Sequence, residues 1–103
     1  MRNVERLFKI MVREKAREME VATGKPVILS IDGARRSLQT VPLSAGQIQS
    51  LFYEIMTPEE IEQLERAGTH DFTHQLENDR RIHITICRQR GCITAVCQLK
   101  DTD

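Results

Sequence analysis

The sequence has no tryptophan, one tyrosine and three phenylalanines, so aromatics make up 4% of its 103 residues. With so few aromatics and 29% charged residues, the chain reads as a plain globular domain. It also lacks an excess of either charge: 15 Lys+Arg balance 15 Asp+Glu, and the formal net charge is zero. A dedicated nucleic-acid or membrane-surface binder would show a basic surplus, so no nucleic acid is expected as a partner. Long hydrophobic runs are missing too. The longest, Pro26-Val27-Ile28-Leu29, is strand-sized and far below the ~18 apolar residues that suggest a bilayer span. The N-terminus alternates charged with apolar residues and so does not read as a signal peptide. Three cysteines, an odd count, cannot form a fully paired disulfide framework; reduced thiols and a cytoplasmic location are the expectation. The five glycines (Gly24, Gly33, Gly46, Gly68, Gly91) are scattered, and none lies in a phosphate-binding frame. Nucleotide hydrolysis by this chain alone, and a cofactor of its own, are therefore not expected, and the chain reads as a non-enzyme.

What is present is a sequence of one-domain length with clear periodicities. Val4, Leu7, Phe8 and Met11 recur at helical spacing, which predicts an amphipathic helix over 4–15 with Asn3 as its N-cap. Met19 and Val21 alternate with Glu18 and Glu20, as in a half-buried strand. Val27–Ile31 and Arg35–Gln39 flank Asp32-Gly33, a strong two-residue hairpin signal. Ser44 with Gln47, and Thr57-Pro58 with Glu60, are capping-box spacings that open helices over 45–56 and from Pro58 to a stop at Gly68. Ile48, Leu51, Phe52 and Ile55 form one inward stripe; Ile61, Leu64 and Ala67 form the other. The last third alternates with a period of two: Asp71–Leu76, a turn at Glu77-Asn78-Asp79, Ile82/Ile84/Ile86, a turn at Arg88–Gly91, then Ile93/Ala95/Cys97/Leu99. Helices grouped between strand runs with hairpin turns imply an α+β fold: an antiparallel sheet in two hairpin groups, with helices packed on one face.

Candidate chemistry is sparse. Cys87, Cys92 and Cys97 step by five residues, but Cys97 is expected to face the other way from Cys92, so buried or half-buried thiols are the default over a metal or redox site. His70 and His74 share a strand rather than a helix, which defeats the usual zinc spacing, and rim positions are expected for the histidines. Charge is more telling. Residues 54–65 carry Glu54, Glu59, Glu60, Glu62 and Glu65 without a base, while residues 80–100 carry Arg80, Arg81, Arg88, Arg90 and Lys100 without an acid. These are either solvated faces or head-to-tail complementary surfaces, the acidic one centred on Glu59, Glu60 and Glu62. Arg88 and Arg90 at a hairpin tip suit a carboxylate or phosphate offered by another molecule.

The chain resembles the N-terminal domain of the PilT-type pilus-retraction ATPases, within the type II/type IV secretion ATPase family. The family's "A-S-D-L-H-L" strand is matched by Ala16–Val21, and its "G-x-P-P-x-x-R-I-D-G-x-L" stretch by Gly24–Arg35. Its helix pair is matched by Pro42-Leu43-Ser44, Leu51-Phe52-Tyr53 and Met56–Glu60, and its "D-F-S" strand by Asp71-Phe72-Thr73. Its closing "R-F-R-V-N-x-F-R-Q-R-G" is matched by Arg81–Gly91. Polar family positions depart more than scaffold ones: Arg17, Glu20, Ser30, His83, Thr85 and Gln98 stand where other residues are usual. The resemblance implies a PAS-like fold and a bacterial protein of type IV pilus retraction and twitching motility. It further implies that Arg81, Arg88 and Arg90 approach a nucleotide only through a partner. In the family an ATPase core follows this domain, and Asp103 is where the linker to it would begin. The leading expectation is a non-catalytic interaction or regulatory module that docks on a hexameric motor ATPase or self-associates, peripheral to a membrane only through a pilus assembly complex. The alternative is a PAS-like sensor that binds a small anion or nucleotide near the same arginines.

Overall fold

The computed structural model describes residues 3–77 and 79–101. The chain runs α1 (Asn3–Arg13), β1 (Glu18–Ala22), β2 (Ile28–Ile31), β3 (Ala34–Ser37), α2 (Ala45–Tyr53), α3 (Pro58–Ala67), β4 (Thr69–Gln75), β5 (Arg80–Gln89) and β6 (Cys92–Asp101). All six strands join one antiparallel sheet in the order β3-β2-β1-β6-β5-β4. Two three-strand meanders thus meet along β1 and β6, where Met19 faces Cys97 and Val21 faces Ala95. The expected α+β class, hairpin groups and one-sided helix layer are all present.

Local chemistry accounts for the element ends. Both capping boxes form: Ser44 Oγ accepts from the Gln47 amide at 3.2 Å and Thr57 Oγ1 from the Glu60 amide at 3.2 Å. In return the Ser44 and Thr57 amides donate to the Gln47 and Glu60 side chains at 2.9 and 3.0 Å. Gly68, at φ 81°, ends α3 in the left-handed conformation. The Asp32-Gly33 and Arg90-Gly91 turns have positive φ at both positions, the type I′ geometry that matches strand twist.

Four expectations need correction. Asn3 is the first helical residue rather than the cap, and α1 ends at Arg13. It stops there because the Ala16 amide bonds back to Met11 and the Lys15 amide to Val12, a Schellman closure with Lys15 at φ 58°. α2 ends at Tyr53, not Met56: Thr57 must be extended to cap α3 and precede Pro58, so the chain leaves α2 through tighter three-residue bonds at Ile55 and Met56. Ala67 is exposed, because α3 buries Leu64 and half-buries Ile61 but turns off at Gly68 toward the sheet edge. Finally, the last turn is two residues, with Gln89 paired to Cys92 and Arg88 already inside β5. Of the Glu77-Asn78-Asp79 turn, Asn78 lies outside the described residues.

Parity then assigns the faces. Met19, Val21, Leu29, Ile82, Ile84, Ile86, Ile93, Ala95 and Cys97 are buried against Val4, Phe8 and Met11 of α1, Ile48 and Phe52 of α2 and Leu64 of α3. Their strand neighbours Glu18, Glu20, His83, Thr85, Thr94 and Gln98 lie on the opposite face and are half-buried, whereas Arg35, Asp71, Thr73 and Arg81 on that face are exposed.

Candidate functional site

Strand β5 carries Arg81 and Arg88, and Arg90 follows in the turn after it, but the three are not brought together. Arg81 sits at its start and Arg88 near its end, about 23 Å apart along an extended strand. Their parities also differ. Arg81 shares the helix-free face with His83 and Cys87, whereas Arg88 continues the row of Ile82, Ile84 and Ile86 on the helix side. A single anion cannot be gripped by Arg81 and Arg88 at once. Arg90 is the first residue of the type I′ turn, exposed and at φ 51°. That conformation costs a non-glycine residue roughly 1–2 kcal/mol.

Arg88 is held by two side chains that sequence periodicity did not connect to it. One guanidinium nitrogen donates to the Tyr53 hydroxyl at 3.3 Å and lies 3.5 Å from a Glu65 carboxylate oxygen. The link spans α2, α3 and β5, which sequence spacing alone cannot reveal. Exposure of both partners keeps this ion pair to about 0–1 kcal/mol, so it orients Arg88 more than it stabilises the fold. A planar fork with five donors retains capacity for a carboxylate or phosphate from outside.

The acidic helix is less uniform than its sequence. Glu59 and Glu62 are exposed, and Glu62 pairs with Arg66 one turn on. Glu60 turns inward: it closes the Thr57 capping box and lies 3.2 Å from His70 Nε2 on β4. Burial raises its carboxyl, but hydrogen bonds from the Thr57 amide and hydroxyl and from His70 prevail and hold it below its ordinary value. Glu65 faces Arg88. The acidic and basic segments therefore meet partly within one molecule, which the sequence-level picture of two complementary surfaces did not foresee.

Each histidine lies beside a carboxylate. Besides His70 and Glu60, His74 Nε2 is 3.8 Å from Glu5 and His83 Nε2 is 3.6 Å from Asp71. His74 is largely buried beside Phe8, and its Nε2 has no hydrogen-bond partner. Cys97 is buried and its thiol is pushed up by burial, with Glu18 adding to the effect. Cys87 is half-buried and Cys92 exposed, both on the other face. Among the described residues no group of three or more His, Cys, Asp or Glu is placed to hold a metal ion. Among the described residues no helix is long and apolar enough to cross a membrane.

Comparison with known proteins locates the fold. No family model and no curated protein matches the chain. Solved structures do. The pilus retraction motor PilT, determined with bound ADP, aligns with 95% of this chain at a TM-score of 0.80 and 24% identity. The Legionella pneumophila ATPase DotB aligns with 95% at 0.79 and 19% identity. The chain spans only 29% and 28% of the length of those two proteins. Its fold is that of the N-terminal domain of the secretion ATPase family.

Proposed function

We propose that residues 1–103 act as one folding unit, a non-catalytic interaction module that docks on a hexameric motor ATPase of the pilus-retraction or secretion type, or on another copy of itself. The observation that carries this reading is the fold match over 95% of the chain to a region making up 29% of a retraction motor. Arg88, oriented by Tyr53 and Glu65, and the turn residue Arg90 supply the hairpin contact in this reading. Glu59 and Glu62 supply an acidic contact on α3, while Glu60 serves the fold. Arg81, on the other face and at the far end of β5, belongs to a separate surface. Any nucleotide is met through the partner, and the module works in the bacterial cytoplasm, in type IV pilus retraction.

The test is capture of this chain on a retraction-ATPase core. Charge-assisted hydrogen bonds contribute about 1.5–3 kcal/mol each, so Arg88→Glu/Arg90→Glu is expected to weaken capture by roughly tenfold or more. Undiminished capture by the double variant removes the hairpin from the interface. No capture of the native chain by any such core leaves self-association as the reading.

A further inference from the structure

The sheet is open, so β3 and β4 are its two edges. Hydrogen bonds at the strand ends tell which backbone groups face outward. Leu38 donates its amide to the Val27 carbonyl at 2.8 Å, continuing the register in which Leu29 faces Arg36 and Ile31 faces Ala34. Antiparallel pairs alternate between bonded and unbonded, so those pairs carry the ladder bonds and Arg35 and Ser37 point their amides and carbonyls away from the sheet. On the far side, Arg88 donates to Gly68 and Leu76 to Arg80, each at 2.8 Å. These bonds bracket the β4–β5 register and assign His70, Phe72 and His74 to bonded pairs. Thr69, Asp71, Thr73 and Gln75 therefore face their backbone groups outward, and no partner for those groups is found among the described residues.

We propose that the β4 edge of one copy receives the β3 edge of a second copy, extending the sheet head to tail. The proposal deepens the self-association side of the function proposed above and rests on it. Direction fits, because six alternating strands place the β3 of a translated copy antiparallel to β4. Parity fits as well. Arg35 and Ser37, and the four outward residues of β4, all carry their side chains on the helix-free face, so pairing keeps both helix layers on one side. Charge decides between occupants. The register that sets Arg35 opposite Asp71 also sets Ser37 opposite Thr69 and Arg36 opposite His70, whose ring is 3.2 Å from Glu60. Arg36 is exposed and has no side-chain partner among the described residues. Pairing β4 with β4 would instead set Asp71 opposite Asp71, Thr69, Thr73 or Gln75 of the other copy, none of them a cation. The edges are thus complementary to each other rather than to themselves, and a contact of this kind closes as a ring or continues as a filament.

The experiment is sedimentation equilibrium of the 103-residue chain over a concentration series. The expected result is an average mass that climbs above the 11.9 kDa of one chain and returns toward it at high salt. Arg35→Glu/Arg36→Glu and, separately, Asp71→Arg are each expected to raise the dissociation constant about tenfold or more. Asp71→Asn, which keeps an acceptor for Thr85, serves if Asp71→Arg loses native circular dichroism. Mixing the β3 variant with Asp71→Asn is expected to give a 1:1 dimer and nothing larger, since one intact edge of each kind remains and the two altered edges carry no opposite charges. A native chain that stays monomeric overturns the proposal. So does a β3 variant that assembles like the native chain, which would indicate β4–β4 pairing. Capture on the ATPase core, read with the Arg88 and Arg90 variants, reports on the docking reading alone.

Discussion

Glu60 shows how one residue type in one segment can hold two different jobs. Its neighbours Glu59 and Glu62 face solvent, whereas Glu60 ties the start of α3 to itself and to His70 on the edge strand. Because its folded carboxyl is held below the ordinary value, its contribution to stability is present above the unfolded value and lost as pH falls through the folded one. Acidification from about pH 7 to about pH 3 is expected to lower the urea midpoint of the native chain more than that of Glu60→Gln, which keeps the cap acceptor but cannot titrate. Equal midpoint losses in the two proteins would assign the acid sensitivity elsewhere. The cysteines separate at the same scale. Cys92 is exposed, Cys87 half-buried and Cys97 buried with a raised thiol. Native-state alkylation should modify Cys92 first and Cys97 only on unfolding, as peptide mass mapping over time would register.

The closing hairpin places an arginine where its turn favours asparagine or glycine. Arg90 at φ 51° starts a type I′ turn, and asparagine tolerates that conformation far better. Arg90→Asn is expected to raise unfolding stability by about 1 kcal/mol, measured by urea denaturation, while weakening capture on the motor core. A strained residue of this kind at an exposed tip is an observation that invites a contact role, and the paired measurement separates the backbone effect from the guanidinium. The helices behave more predictably. Capping boxes at Ser44 and Thr57 were legible because their chemistry is local, confined to four consecutive residues. The early end of α2 was not, since it arises from the competing demand of Thr57 and Pro58 to be extended.

Across the molecule, the two meanders share one sheet and one core through the β1–β6 pairing. Residues from α1, α2 and α3 all reach that core, so neither half retains a closed apolar interior without the other. Unfolding is therefore expected as a single transition, with coincident curves from circular dichroism and scanning calorimetry; two separated transitions would show the meanders to be independent. The helix-free face and the two open edges follow from the same arrangement. Among the described residues, three helices cover one side of six strands, and the sheet does not close on itself.

Composition and periodicity alone determined the α+β class, the order of the nine elements, the buried rows of β5 and β6 and the turn at Asp32-Gly33. Those signals are written in neighbouring residues, where the 3.6 and 2.0 repeats and cap chemistry operate. Motif resemblance reached the fold family as well. Tertiary structure alone decided what the charged residues do. It set Arg88 against Tyr53 and Glu65, turned Glu60 toward His70, and separated Arg81 from Arg88 by strand length and by face. Charge partners are chosen by proximity in space, and chain spacing does not encode which helix lies over which strand. The near-neutral total of the sequence thus resolves into local pairing within the molecule and complementary edges at its two sides.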